Sequence, residues 1–475
     1  MTAKTESSLF KFFKNTIIYF AGTILSRIIS FLLLPLYTSY INPEDYGYYD
    51  LSITYVTIVT FSLFFDIWVT TMRFMYEKNE DEWKWKVSQS GFTIFACSFL
   101  LLSVIGIIVY LFFDIQYLWL IICYALTITL TNMFLYIARG YKKNVEYTVS
   151  GVLNTFIYIL SNILMIVILK MDFSSLYISS IFGHLIQLIY LEYKVRIVKN
   201  LFKTKVDFGF IKNMFLYSLP LSINSISYWL LTSFNKIIVQ NVLSIEYNGY
   251  YAIGYKFGSA LSLITNSFTL AWQDLSFSRS ADDKSNGQYY SLACDKYLSF
   301  LGIGACILIP SFNILFDFFI HESYYPAKAT IPMFIIVAIL SSYSTFIGNI
   351  FYAIKDTKSI FYSMIVSSMV NLITCYPLIK ILGINGANIA IAFSFIINIL
   401  IRAKILNKKI NFKLNNKGVI GYTILVIITS IVFSTDNIVI NLVWLFFNII
   451  IAFLTLRNDI KTLLYELKRK LRALK

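Results

Sequence analysis

The order of apolar and polar positions along the chain predicts a protein built mainly of membrane-spanning helices. Long apolar runs follow one another with short polar breaks. A helix of about 20 residues is long enough to cross about 30 Å of hydrocarbon. The pattern therefore predicts an all-α integral membrane protein with about 14 transmembrane helices, at residues 15–39, 48–70, 88–112, 116–137, 146–169, 173–193, 213–241, 248–275, 292–315, 328–353, 359–379, 384–404, 418–434 and 438–456.

A short repeated motif divides the chain into two related halves. Glu44–Tyr49 lines up with Glu246–Tyr251, sharing one Glu, one Gly and two Tyr at a fixed offset, and each copy lies between two apolar runs. Pro43 opens a polar turn in the first copy, and Gly47 is expected to let the following helix begin close against the preceding one. Repeats of this kind are typical of transporters. The predicted organisation is a six-helix bundle at 1–193, a basic cytoplasmic linker at 194–212, a second six-helix bundle at 213–404, an extra helix pair at 405–456 and an amphipathic cytoplasmic tail at 457–475.

The distribution of basic residues tests the number of spans and orients the chain. The chain carries 40 Lys and Arg against 25 Asp and Glu, a formal net charge of +15. With the N-terminus in the cytoplasm, only Lys170, Lys328 and Lys380 fall in predicted outer loops, as expected where basic residues collect inside. One missed span would reverse this bias for every later loop. Both termini are therefore predicted to be cytoplasmic, and the basic charge faces anionic lipid rather than nucleic acid.

Composition excludes most other classes of protein. The chain is 58% hydrophobic and 14% charged, which is too apolar for a soluble fold. Its five cysteines show no CxxC or metal-like spacing, so neither a disulfide nor a metal site is predicted. No P-loop is present, which argues against an ATP-driven pump.

In the tail, a stripe of Ile and Leu predicts a helix lying on the inner membrane surface, with a solvated tail as the alternative.

Three basic residues fall inside predicted spans. Arg27 lies near the middle of span 1, Lys236 lies on span 7 and Lys256 lies on span 8, with no acidic residue equally deep beside them. A cation inside the bilayer is costly unless it faces water or a partner. If the three face one cavity, that cavity is electropositive and suits a phosphate or pyrophosphate. The alternative for each lysine is a side chain that extends to the outer headgroups.

Two carboxylates are candidates for ion coupling. Asp66 and Asp274 lie toward the cytoplasmic ends of spans 2 and 8, where they could take up H⁺ or Na⁺ or pair with a cavity cation. The alternative is an interfacial Asp held by nearby Arg73 or Arg279, and this reading is slightly favoured.

Two tryptophans are candidates for a cavity wall. Trp229 and Trp272 lie on or near the spans that carry the charges, where their rings could stack on sugars. Ordinary packing is the more common role for any single tryptophan, and it stays open here.

Four groups of residues form recognisable motifs: Pro35-Leu36-Tyr37-Thr38 followed by Pro43-Glu44-Asp45-Tyr46-Gly47, Leu219-Pro220 with Trp229, Gly249-Tyr250-Tyr251, and Gly383-Ile384-Asn385-Gly386-Ala387. Together they resemble the bacterial polysaccharide flippases, the Wzx-type O-antigen and capsule exporters of the MATE-like (MOP) transporter superfamily. The resemblance covers the whole chain in length, helix count and halves. Its most specific part is the N-terminal signature, and the others are weak alone.

The resemblance implies a fold and a function. The fold is two six-helix bundles around a central cavity with two extra helices. The substrate is an oligosaccharide on undecaprenyl pyrophosphate, moved from the inner to the outer leaflet of the bacterial cytoplasmic membrane by a transporter, not an enzyme. Arg27 matches a recurring interior cation of such flippases. The chain departs from the family at Asn235-Lys236, where relatives often carry Asp-Arg, which leaves a gating role for that pair in doubt.

Other functions remain open at this stage. A lipid II flippase would share the fold, and so would a cation-coupled multidrug exporter, although the latter would favour acidic cavity residues and twelve spans. A polysaccharide polymerase would be expected to carry a long outer loop, and this chain has none. A scaffold would not need charge within the bilayer. No cofactor is expected beyond a coupling H⁺ or Na⁺. The expected partners are the lipid-linked oligosaccharide, membrane lipid and a polysaccharide polymerase, and the protein is expected to be a monomer.

Overall fold

The computed structural model describes residues 31–201, 203–204, 206–277, 286–354 and 356–473. Within these ranges, several side chains between 263 and 286, the side chain at 416 and those beyond 455 are outside the description. The described residues form helices and turns, without a strand. This confirms the predicted all-α membrane fold.

The helices are numbered here in chain order. The first ten are α1 (Leu34–Tyr40), α2 (Pro43–Phe64), α3 (Ile67–Met75), α4 (Asp81–Phe112), α5 (Leu118–Gly140), α6 (Asn144–Asn162), α7 (Ser174–Val195), α8 (Ile197–Leu201), α9 (Phe208–Thr232) and α10 (Phe234–Val242). They are followed by α11 (Ile245–Phe277), α12 (Asn286–Phe319), α13 (Ile331–Ala353), α14 (Thr357–Leu382), α15 (Ile384–Ile410), α16 (Asn416–Ser434) and α17 (Ile438–Ala473). A π-helical segment, Ile163–Ile168, extends α6, and a 3-10 segment, Glu322–Thr330, leads into α13.

Many of these helices can cross a membrane. In the described part of the chain, 10 helices are long and apolar enough, or 11 if the bent pair α2 and α3 is one span. Spans 7 and 8 are predicted at the positions of α9, α10 and α11. Judged on their described residues, these three helices do not meet the length and hydropathy criteria for crossing a membrane. Most of span 1 lies outside the described residues, so the count of fourteen stays a prediction. The chain is a multi-pass membrane protein.

The first predicted turn begins α2 as expected. The Asn42 side chain caps the helix by accepting a hydrogen bond from the Asp45 backbone N–H at 2.8 Å, and Pro43 occupies the first turn. The prediction for Gly47 differs from the structure in one respect. Its closest approach is to the second motif copy at Ile245 and Gly249, not to the preceding helix.

Span 2 is interrupted by a sharp break. Phe65 and Asp66 both have left-handed backbones, with φ of 52° and 50°, and the axes of α2 and α3 differ by 52°. Each such residue costs about 1 kcal/mol or more when it is not glycine, so the surrounding packing must hold the break in place. The break brings the Asp66 side chain into the protein interior.

The chain divides into two compact units, Met1–Ala252 and Ile253–Lys475, with the boundary inside α11. In the first unit, α9 and α10 pack against the α2–α3 span, and α9 also packs against α4. The predicted bundle boundaries rest on the sequence repeat and stay a prediction.

The extra helix pair belongs to the second unit, where α16 and α17 both pack on α12. Lys328 Nζ lies 2.9 Å from an oxygen of Asp317 at the end of α12 and 2.6 Å from one of Asp436 in the turn between α16 and α17. This double ion pair fastens the helix pair to the bundle. The backbone of α17 continues into the predicted amphipathic tail, whose side chains lie outside the described residues.

Candidate functional site

The two copies of the repeated motif lie against each other through their glycines. A Cβ placed on Gly47 would be 2.1 Å from the carbonyl oxygen of Ile245, and a Cβ on Gly249 would be 2.0 Å from that of Pro43. Pro43 and Ile245 hold the same position in their copies, so the contact is reciprocal. Only glycine permits this backbone approach between α2 and α11. We call this contact, residues 43–51 against 245–251, the motif seam.

An ion pair lies beside the motif seam. Lys236 Nζ on α10 is 2.6 Å from Asp50 Oδ2 on α2, and the two side chains are 13% and 23% exposed. The sequence predicted a cation at Lys236 with no acidic residue equally deep beside it, and the structure corrects this by bringing Asp50 to it. Asp50 was missed because it stands at the start of span 2, far from Lys236 in sequence. The sequence feature that could have identified Asp50 is its position one turn after Gly47, which places both residues on the same face of α2.

Further hydrogen bonds continue the contact between α2 and α9. The indole Nε1–H of Trp229 donates to the Thr54 carbonyl at 3.2 Å, and the Ser222 hydroxyl donates to the Phe61 carbonyl at 2.7 Å. Trp229 is 5% exposed, and its ring packs against Phe234. In this conformation Trp229 is therefore a packing residue, and its role as a cavity aromatic stays a prediction.

Asp66 is a buried carboxylate at the helix break. It is 5% exposed and accepts a hydrogen bond from the Ser225 hydroxyl on α9. Among the described residues, no cation forms an ion pair with it, and Arg73 pairs instead with Glu77 at 4.0 Å. The Tyr136 phenol on α5 lies within electrostatic range. This environment differs from that of an interfacial Asp held by Arg73, and it keeps the Asp66 carboxylate a candidate for proton or cation binding.

Trp272 is buried in the second unit. Its Nε1–H donates to the Phe346 carbonyl at 3.1 Å, and its ring stacks on Phe346 with centroids 4.4 Å apart. Tyr297 stacks on the opposite face of Phe346 at 4.0 Å. The three rings form a buried column, so packing accounts for Trp272 in this conformation.

The structure describes the remaining predicted site residues only in part. Lys256 is half-buried on α11 and belongs to the second unit, whereas Lys236 belongs to the first. Arg27 lies outside the described residues, as does the side chain of Asp274. The convergence of the cations on one cavity therefore stays a prediction.

An apolar groove of about 350 Å³ lies in the second unit. It is lined by α12, α13, α15 and α16, including Ile339, Ile399 and Tyr422. Leu400, also in the lining, is 57% exposed, so the groove opens onto the protein surface. Its wall is suited to a hydrocarbon chain, because few polar groups face it.

A buried arginine was assigned by sequence to an inner segment of the chain. Arg402 on α15 is 2% exposed; its Nη1–H groups donate to the Ser344 carbonyl at 2.6 Å and hydroxyl at 3.0 Å, and its Nε–H donates to the Ser363 hydroxyl at 3.0 Å. Asn398, one turn earlier, accepts from the Ser344 hydroxyl at 2.8 Å and donates to the Ser367 hydroxyl at 2.9 Å. This network joins α13, α14 and α15. Its signal in the sequence is the four-residue spacing of Ser394, Asn398 and Arg402.

Comparison with known families decides the identity of the chain. A family described as polysaccharide biosynthesis protein matches residues 12–272, which is more than half of the chain. The chain belongs to this family. The match includes both motif copies and the Asp50–Lys236 pair. Comparison with proteins of curated function yields no match.

Solved structures share the fold of this polysaccharide biosynthesis protein. It is similar to the lipid II flippase MurJ in an inward closed conformation, with a TM-score of 0.67 and 17% identity over 94% of this chain and 100% of that one. It is also similar to a multidrug resistance MATE family transporter of the MOP superfamily in an inward-facing conformation, with a TM-score of 0.63 and 14% identity over 84% and 95% of the two chains. These likenesses confirm the predicted MATE-like transporter fold.

Proposed function

We propose that the protein is a flippase that moves undecaprenyl-pyrophosphate-linked oligosaccharide repeat units from the inner to the outer leaflet of the bacterial cytoplasmic membrane, for O-antigen, capsule or exopolysaccharide synthesis. The observation that carries the proposal is the polysaccharide biosynthesis family match across both motif copies, on a transporter fold. The protein works by alternating access as a monomer, with both termini in the cytoplasm, and hands its substrate to a polymerase. No covalent bond changes.

The chemistry of the described residues supports a lipid-linked anionic substrate. Lys236 supplies a cation on predicted span 7, and Arg27 and Lys256 add two more on predicted spans 1 and 8. The apolar groove offers a surface for part of the polyprenyl chain, because it lies between apolar helices and opens onto the protein surface at Leu400. A lipid II flippase remains the second candidate because MurJ shares the fold, and a multidrug exporter the third because MATE transporters do.

Complementation tests this function. In strains lacking their own flippase, the wild-type protein should restore surface glycan. Arg27→Ala should lower it about tenfold or more, because a cation that faces the pyrophosphate is lost, and Arg27→Lys should restore part of it. Surface glycan and trapped undecaprenyl-linked repeats are measured together at matched membrane expression. Arg73→Ala is the control, because that arginine is 57% exposed.

Two results would contradict parts of this proposal. Arg27→Ala with wild-type activity would remove Arg27 from the mechanism while leaving the family intact. Failure of the wild-type protein with several different repeat units would instead favour the lipid II or drug substrates, which rescue of a lipid II flippase deletion and drug resistance assays separate.

Coupling to H⁺ or Na⁺ at Asp66 is a further part of the proposal. Asp66→Asn should lower transport about tenfold, within the range of ordinary coupling free energies, because the amide keeps the Ser225 hydrogen bond but cannot bind a proton or carry charge. Proteoliposomes with an imposed H⁺ or Na⁺ gradient measure it, and the exposed Asp81→Asn is the control. Gradient-driven transport at the wild-type rate in Asp66→Asn would exclude this carboxylate from coupling.

A further inference from the structure

The Asp50–Lys236 pair joins the two segments that the motif seam also joins. Asp50 lies one helical turn after Gly47 on α2, and Lys236 lies on α10, which is followed closely by α11 and Gly249. The ion pair and the glycine contact therefore tie α2 to the α10–α11 segment at neighbouring levels. Any movement that separates the two motif copies must also change this pair.

We infer that Asp50 is the resting counter-ion of Lys236, and that the pyrophosphate of the substrate replaces it, so that substrate binding loosens the motif seam. This inference rests on the proposed function and deepens it. It assigns Lys236 to bind the substrate and Asp50 to neutralise Lys236 when no substrate is bound.

A cation without a partner is costly on a predicted membrane span. The largely buried ammonium of Lys236 needs a partner when no substrate is present, and the Asp50 carboxylate at 2.6 Å provides one. The two side chains are 13% and 23% exposed, so they are shielded enough to interact strongly and open enough for an anion to reach Lys236.

The chemistry of lysine permits this exchange of partners. Its ammonium is a point charge with three rotatable donors, so it can exchange a carboxylate for a phosphate without a fixed geometry. Pyrophosphate carries more negative charge than one carboxylate and competes well for the same cation. Asp50 and the pyrophosphate repel each other, so binding also pushes α2 away from the α10–α11 segment.

The motif seam has two features that favour its opening. The closest contacts of the motif seam lie between the two glycines and backbone carbonyl groups, so these two positions present no side chain that must unpack before the helices separate. Asn248 within the seam is fully buried, and neither its Oδ1 nor its Nδ2 has a hydrogen-bond partner. Such a group costs about 1–3 kcal/mol, which favours a second conformation that lets it bond. The closed seam therefore favours separation of α2 from the α10–α11 segment once substrate binds.

Exchanging the charges of Asp50 and Lys236 distinguishes a counter-ion that the substrate displaces from a salt bridge that persists throughout transport. Three variants are prepared: Asp50→Asn, Lys236→Gln, and the double exchange Asp50→Lys with Lys236→Asp. Binding of undecaprenyl pyrophosphate to protein in nanodiscs, thermal stability and surface glycan are measured for each. Lys409→Gln is the matched control, because it breaks a 2.7 Å ion pair with Asp356 in the second unit.

The inference predicts an asymmetric result. Lys236→Gln should weaken undecaprenyl pyrophosphate binding about tenfold or more, since a charge-assisted hydrogen bond is lost. Asp50→Asn should bind undecaprenyl pyrophosphate as tightly as the wild-type protein or more tightly. It should nevertheless restore less surface glycan, because the ion pair that holds the seam closed without substrate is lost. The double exchange should keep the thermal stability and fail in transport, because the cation then lies on the wrong helix. The Lys409→Gln control should bind normally.

Each contrary result has a defined meaning. Transport restored by the double exchange would overturn the inference, since only a structural pair tolerates reversal, and would leave the proposed function standing. Equal weakening of binding by Asp50→Asn and Lys236→Gln would overturn it in the same way. Absence of binding by the wild-type protein would overturn both the inference and the proposed substrate.

Discussion

Replacing Gly249 or Gly47 by alanine should destabilise the protein and abolish most transport. The new Cβ would lie 2.0 Å from the Pro43 carbonyl oxygen or 2.1 Å from that of Ile245, and these are backbone atoms that no rotamer change can move. Overpacking of this kind costs about 1–3 kcal/mol. The two helices must separate to accommodate the methyl group, so the motif seam should not close.

Alanine should have the opposite effect on stability at glycines that have open space around them. Gly151 on α6 and Gly421 on α16 have no neighbouring atom within 4 Å of an added Cβ. Alanine at these positions should raise stability by about 0.5–1 kcal/mol, because glycine is the weaker helix former. Thermal unfolding of purified protein and complementation at matched expression measure both sets. A seam variant that melts at or above the wild-type temperature would contradict the close approach.

A second readout separates lost stability from a seam that stays open. An Asn248→Cys probe, which is buried in the seam and leaves the Asp50–Lys236 pair intact, is introduced with and without Gly249→Ala in a background with Cys97→Ser and Cys123→Ser, which removes the cysteines that are not buried. The probe should react faster with a membrane-impermeant maleimide when Gly249 is replaced. Unchanged labelling of folded protein would mean that the glycines serve packing alone.

The sequence predicted the motif but not the meeting of its copies. The match between Glu44–Tyr49 and Glu246–Tyr251 is readable from residue letters, because each copy starts an apolar run. Their contact depends on how distant helices pack, which a single sequence does not contain. The same limit hid the Asp50–Lys236 pair, whose members are identifiable one at a time but not as partners.

Local backbone and hydrogen-bond details were also out of reach. Span 2 was predicted as one helix because its apolar run is continuous, yet Phe65 and Asp66 break it with left-handed backbones. Hydropathy does not detect such a break when neither residue is glycine or proline. The donors of Trp229 and Trp272 are used by backbone carbonyls, a use that only the packed structure reveals.

Arg402 shows where a closer reading of the sequence would have succeeded. Charge counting placed it in an inner segment because it stands near the end of an apolar run. A polar stripe of Ser394, Asn398 and Arg402 at helical spacing, facing Ser363 and Ser367 on the preceding helix, marks a buried polar face. Counting treats every basic residue alike, whereas helical periodicity separates a buried arginine from an exposed lysine such as Lys404.

Replacing Arg402 by alanine should therefore be among the most destabilising single changes in the second unit. The change removes the donors to Ser344 and Ser363 and leaves a cavity where α13, α14 and α15 meet. Lost hydrogen bonds to a charged group and the cavity together should cost about 3 kcal/mol or more. Arg402→Lys should fall between, because one ammonium cannot reach both helices in the geometry of the guanidinium.

Thermal unfolding and the amount of folded protein in the membrane test this expectation, with Lys404→Ala as the control two residues away on the exposed face. Transport per folded molecule should change little in Arg402→Ala, since the arginine holds three helices together and faces no described groove. If Arg402→Ala unfolds at the same temperature as Lys404→Ala, the network contributes no net stability. Loss of transport in a fully folded Arg402→Ala protein would instead give this buried cation a direct part in the transport cycle.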